Sequence, residues 1–186
     1  MDSNRWPPTY DAEQLKETIK KLCKEENLFK SFYTSGRLNK GRKPYQGDVI
    51  KFSSPVPIID SVGDLSGYGE FSDWLVIGNT CDIDRDIKDV EYSQIVPIAH
   101  ISSKEIKPEK KEQLLSYKYS RQFFLPSWSS ENEGYVSFAD FTLPVSIHKD
   151  ALFNKTTIQV QMTRIGWMLL HSCLVRFLAR DDGRAD

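Results

Sequence analysis

A chain of 186 residues has room for one ordinary core and falls short of the size at which a second domain is expected, so a single domain spanning 1–186 is the starting expectation. With 39% hydrophobic, 27% charged and 12% aromatic residues, its composition excludes wholesale disorder. Its 25 Lys and Arg against 26 Asp and Glu give a formal net charge of -1, which excludes a global attraction to phosphate and leaves only a local basic patch as a route to nucleic acid.

Cys23, Cys81 and Cys173 are odd in number and widely spaced, with no Cys-x-x-Cys pair, so neither a disulfide framework nor a structural zinc knuckle is indicated and a reducing compartment is expected. The N-terminus lacks the charged-then-apolar build of a secretory signal, and nowhere do eighteen apolar residues run together. A cytoplasmic protein without membrane contact follows. No cofactor is called for.

In chain order, residues 1–10 form an extension ending at Pro7-Pro8. Asp11 then caps an expected helix over 11–25, because Leu15, Ile19 and Leu22 recur at three- and four-residue spacing among Lys and Glu. Residues 33–45 read as a basic loop, completing a segment 11–46 of helix and loop. Arg37, Lys40, Arg42 and Lys43 place four cations within seven residues between Tyr33 and Tyr45, a pattern that can track a phosphate backbone while rings stack on bases. The plainer reading is a solubilising linker.

Gly47-Asp48 opens a strand over 49–52, and a long connection over 53–72, with Pro55, Pro57, Gly63, Gly67 and Gly69, reads as a binding loop or lid, with an edge strand available at 56–59. The apolar run at 74–77 is a buried strand that empties into a turn carrying Cys81, Asp82 and Asp84. A strand over 94–98 returns and ends near His100, and Pro108 suits a helix start anchored by Leu114 and Leu115. Short strands follow at 121–125, 135–138 and 143–147, then a last strand or helix lead-in at 157–162.

The C-terminal helix is expected over 163–180, with an apolar face wide enough to lie across the open side of a small barrel or to form an interface with a partner protein or a second copy. One helix, five to seven short strands and one long helix define an α+β protein built on an antiparallel sheet or barrel, occupying 47–160, since regular crossover helices for parallel strands are missing from the pattern.

Cys81 lies in a turn, where a thiol reaches solvent, and His100 is the one histidine that the strand order can bring near it. With Asp82 or Asp84 orienting the imidazole, a Cys-His-Asp arrangement would support a thiol-dependent hydrolase. The same atoms could offer three ligands to a zinc, although the spacing is not that of a metal site. The plain reading makes Cys81 a small residue at a strand end and Asp82 a turn cap. His148 and His171 read as structural, and Arg121, Arg164 and Arg176 rank no higher than Arg42 as phosphate forks.

Gly47-Asp48-Val49-Ile50, a long loop, Trp74-Leu75-Val76-Ile77 and then Ile95-Val96-Pro97-Ile98 resemble the first strands of the PemK and MazF group over residues 47–101. The resemblance implies an SH3-like barrel of a bacterial toxin-antitoxin, stress or phage-defence system, with single-stranded RNA as ligand. Members of that group place an Arg-Pro pair before the apolar strand and a Thr or Ser after the Pro-Ile pair, supplying the basic group and hydroxyl used on the RNA phosphate. This chain has Asp73-Trp74 and Ala99-His100 there, so nuclease activity does not carry over with the resemblance. RNA binding, a non-catalytic protein-interaction module and a thiol hydrolase remain as readings.

Overall fold

A computed structural model describes residues 17, 32–34, 41–59, 62–67 and 72–178. The N-terminal helix expected over 11–25 and the cations Arg37 and Lys40 fall outside these residues, Glu17 excepted.

The described chain is a mixed α+β protein whose centre is a seven-stranded antiparallel sheet. In order come β1 (Val49–Phe52), the small hairpin β2 (Pro57–Ile59) and β3 (Leu65–Gly67), β4 (Asp73–Val76), the short helix α1 (Thr80–Asp84) and the long strand β5 (Tyr92–Ser102). Then follow α2 (Pro108–Leu115), β6 (Gln122–Leu125), β7 (Tyr135–Asp140), β8 (Val145–His148), α3 (Lys149–Asn154), β9 (Thr156–Val160) and α4 (Arg164–Leu178). The sheet runs β6-β7-β5-β4-β1-β9, with β8 also on β5, and β2-β3 stands as a separate two-stranded sheet.

Strand β5 holds the sheet together because it is long enough to serve several neighbours. Its first half pairs with β8, from Tyr92↔His148 to Ile95↔Val145, and its second half with β7, from Ile98↔Ala139 to Ser102↔Tyr135. Between these pairings β5 advances from Ile95 to Ile98 while its partner runs back from Val145 to Ala139, so the partner side carries three extra residues in a corner at Phe141 to Pro144. Expected to stop before His100, β5 instead continues through it to Ser102.

The central strands are buried on both faces, which accounts for their near-continuous apolar sequence. Val49, Leu75, Val96 and Ile98 point into the larger core with Phe123, Leu125, Leu169 and Leu170, while Ile50, Trp74, Val76 and Ile95 face a second core with Ile83 of α1 and Leu152 of α3. Each fully buried side chain of this size stabilises by about 1.5–3 kcal/mol relative to exposure. Helix α4 covers the larger core through Gly166, Leu169, Leu170 and Cys173. Gly166 is required there, since a Cβ would lie 2.8 Å from the Phe32 carbonyl oxygen.

Strands β6 and β9 are the edges of an open sheet. Residues 32–34 lie between those edges. Tyr33 bridges Met162 just past β9, the Thr34 amide donates to the Gln161 carbonyl at 2.9 Å, and the Tyr33 hydroxyl donates to the Pro126 carbonyl just past β6 at 3.0 Å. Among the described residues no helix is long and apolar enough to cross a membrane.

Candidate functional site

The end of β4 that begins at Asp73 and the end that leads into Cys81 have different surroundings. At the Cys81 end the chain forms helix α1 rather than a bare turn, because Asn79 is a good N-cap: its Oδ1 accepts from the Cys81 amide at 2.9 Å. Ile83 packs downward into the second core. Lys149, fully buried, donates from Nζ to the Asp82 and Arg85 carbonyls at 3.0 and 2.7 Å and so fastens the last turn of α1 to α3. Cys81 itself is exposed, Asp84 is exposed, and Asp82 makes a 3.4 Å surface pair with Arg85.

His100 is not with them. The Gly78 amide donates to the Gln94 carbonyl, which places the approach to Cys81 six residues before His100 on β5, roughly 20 Å away at strand rise. Three further residues cannot recover that distance. The Cys-His-Asp arrangement and the zinc set of Cys81, His100 and a carboxylate both fail on this geometry. Among the described residues no group of three or more His, Cys, Asp or Glu is placed to hold a metal ion.

The partners of His100 are Asp73 and Ser137. Ser137 is its directly paired residue on β7, so both side chains rise on one face, and Asp73 occupies a diagonal position on β4. His100 Nδ1 lies 2.8 Å from Ser137 Oγ and Nε2 lies 3.1 Å from Asp73 Oδ2. A carboxylate only accepts, so Nε2 donates to Asp73, and in the neutral imidazole Nδ1 then accepts from the Ser137 hydroxyl. Ser137 is buried and Asp73 nearly so, whereas the imidazole keeps 22% of its side-chain surface. Two aromatic rings flank it, Trp128 at 5.6 Å and Tyr135 at 6.5 Å, and Tyr135 is 49% exposed. The arrangement is a partly open imidazole held by a carboxylate and a hydroxyl between two rings.

The basic loop contributes less than its composition implies. Arg42 is a structural group: its Nη1 and Nη2 donate to the two oxygens of buried Asp48 at 2.7 and 2.9 Å, and Nη1 also donates to the Lys43 carbonyl. The Tyr45 amide donates to Asp48 as well, at 2.8 Å. Burial nevertheless pushes the Asp48 carboxyl above its ordinary range, with the Arg42 bond, the Tyr45 amide and the Arg42 charge pulling it back. Of the described cations in the loop only Lys43 is exposed, with its ammonium 5.1 Å from the Phe153 ring centre.

Other candidates are also in use. Arg176 donates to the Tyr117 and Tyr119 carbonyls, the His148 ring accepts from the Asp150 amide as cap of α3, and His171 stacks on Trp167. Asp73, Ser137, Trp128 and Tyr135 are functional candidates that sequence reasoning did not assign; the signal was the strand register, which needs β5 extended past His100 and paired to β7.

No protein-family model, curated protein or solved structure matches the chain.

Proposed function

We propose that this chain is a divergent barrel protein of PemK and MazF type that binds single-stranded RNA, with His100 as the group acting on it. The supporting observation is the imidazole of His100, held between Asp73 and Ser137 and open to solvent between Trp128 and Tyr135. By the resemblance, Asp73-Trp74 and Ala99-His100 fall where the group carries its basic group and hydroxyl. Here the imidazole serves as the basic group, and buried Ser137 holds the ring rather than reaching the phosphate. The aromatic flanks suit stacked bases, as single-strand recognition requires. The near approach of both sheet edges to Tyr33 favours a barrel-like curvature.

For cleavage, a ribose 2′-hydroxyl reaching His100 gives its proton to Nδ1 as the Ser137 hydroxyl turns away. Its oxygen bonds to phosphorus, the bond from phosphorus to the 5′ oxygen breaks, and the leaving oxygen takes a proton from solvent. Asp73 stabilises the imidazolium so formed. The products are a 2′,3′-cyclic phosphate and a 5′-hydroxyl.

Incubation of the full chain with single-stranded RNA tests this. Cleavage should fall about 10²- to 10⁴-fold in His100→Ala and markedly in Asp73→Asn, while Cys81→Ala cleaves normally. Failure of the unmodified protein to cleave ends the nuclease step; failure to shift RNA in an anisotropy titration ends the RNA reading.

A second reading is a protein-interaction module. It is favoured by Ile165 and Met168, 42% and 37% exposed on α4 and three residues apart on one face. Light scattering that gives a monomer for the unmodified chain, unchanged by Met168→Glu, removes the homodimer form of that reading.

A further inference from the structure

A cleft of about 380 Å³ opens on the face of β7 opposite His100, lined by Lys110, Tyr119, Arg121, Gln122, Asp140 and Thr142. Side chains alternate along β7, so Ser137 rises beside His100 while Phe138 and Asp140 belong to the other face. Bonds to the backbone fix the walls. The Arg121 carbonyl accepts from the Phe141 amide at 2.9 Å and holds the start of β6 against the end of β7, and the Tyr119 carbonyl accepts from Arg176 at 3.1 Å. Helix α2 brings Lys110 over the sheet, with its ammonium 5.8 Å from the Phe138 ring centre.

The lining keeps its positive charge. Residues 104–121 carry six Lys and Arg against three Glu in a chain whose formal net charge is -1, so this stretch is a local basic patch. In the earlier basic loop Arg42 gives its guanidinium to Asp48. Here, among the described residues, neither Lys110 nor Arg121 forms an ion pair. The carboxylate in the lining, Asp140, is turned to its own corner: Oδ1 accepts from the Thr142 amide and hydroxyl at 2.9 and 2.6 Å. Gln122 and Tyr119 add an amide and a hydroxyl to the two cations.

We infer that this cleft is a phosphate site and takes a phosphate monoester as its dianion. One arginine fork satisfies both oxygens of a carboxylate and leaves an adjacent lysine without a role. The three terminal oxygens of a monoester instead give the guanidinium, the ammonium and a neutral donor an acceptor each, and two cations favour a dianion over the single charge of a backbone diester. Asp140 opposes the ligand and keeps the affinity modest. The site does not rest on the RNA reading, because the sheet lies between it and His100. A nucleotide and the 5′ end of a strand both present the required group.

Titration of the full chain with inorganic phosphate at constant ionic strength, followed by amide chemical shifts, tests the assignment. Shifts should converge on Arg121, Gln122 and Thr142 and saturate at millimolar phosphate, with acetate about 10-fold weaker. Lys110→Gln and Arg121→Gln should each weaken phosphate roughly 10-fold. Asp140→Asn, which keeps the Oδ1 that Thr142 uses, should tighten it several-fold, and opposite signs at one cleft do not arise from misfolding. No saturable shift at tens of millimolar phosphate, an equal response to acetate, or binding lost in His100→Ala would overturn the site. Read at the same amides, tighter binding of a 5′-phosphorylated oligonucleotide than of a nucleoside monophosphate assigns the strand end, and equal binding assigns the small ester. A 5′-hydroxyl oligonucleotide that binds there as well as the phosphorylated one overturns the monoester. Phosphate binding without any RNA binding overturns the RNA reading alone, and RNA binding without phosphate at these amides overturns the site alone.

Discussion

Arg42 and His100 each meet an aspartate on the central sheet, and the two pairs differ in what remains unspent. Arg42 gives both Nη atoms to Asp48, which is 1% exposed, and a third bond to the Lys43 carbonyl. The site is closed, and its charge is consumed by folding. His100 meets Asp73 through one nitrogen and Ser137 through the other, yet keeps part of its ring in solvent beside two aromatic faces. A cation in a basic run can thus be wholly structural, while a histidine within a long strand can keep part of its ring open to solvent.

The largest expected effect comes from breaking the closed pair. Arg42→Ala leaves a buried carboxylate without its partner and should destabilise the fold by about 3–5 kcal/mol in a denaturant titration at neutral pH. His100→Ala, which removes bonds from a half-open group, should cost only about 1–2 kcal/mol in the same assay. Equal losses would erase the distinction drawn between the two pairs.

Acidification sharpens it further. Because burial holds the Asp48 carboxyl above its unfolded value, the folded chain takes up that proton first as pH falls, and this contribution to stability is lost again as pH rises through the folded value. Removing Arg42 takes away two of the three influences that lower the carboxyl, so its value rises further and the Arg42→Ala deficit should shrink as pH is lowered from 7. A deficit independent of pH would mean that Asp48 remains charged without its partner.

The smallest effect is at Cys81. Cys81→Ala should alter stability by no more than about 0.5 kcal/mol. An alkylating reagent at neutral pH should label exposed Cys81 and spare Cys173, which is buried and whose thiol burial pushes up to about 12. Rapid labelling of Cys173 would contradict its place beneath α4.

Much of the sheet was legible because its signals are local. The two-face burial of β4 is written as the apolar run at 74–77 and that of the start of β1 as Val49-Ile50, and Pro108 starts α2 as expected. Helix α1 was not foreseen, since five residues give too little periodicity to outweigh a turn reading. Helix α3 was hidden for the same reason, and its main role, fastening α1 through Lys149, depends on a contact 67 residues away in sequence. The site failed at its long-range step. Cys81 and His100 look like neighbours when β5 is ended early; once β5 continues to Ser102, register pairs His100 with Ser137 and leaves Cys81 at the far end.

Tyr33 has a consequence for how this chain behaves before it is complete. Its backbone bridges Met162 just past β9 and its hydroxyl reaches the Pro126 carbonyl just past β6, so one residue ties together the chain beyond both edge strands. Until Phe32 to Thr34 are in place, the chain just past β9 and the chain just past β6 lack this tie, and strand edges left uncovered are surfaces on which other chains add. The order in which this segment docks therefore bears on when the two far ends of the sheet become tied to each other.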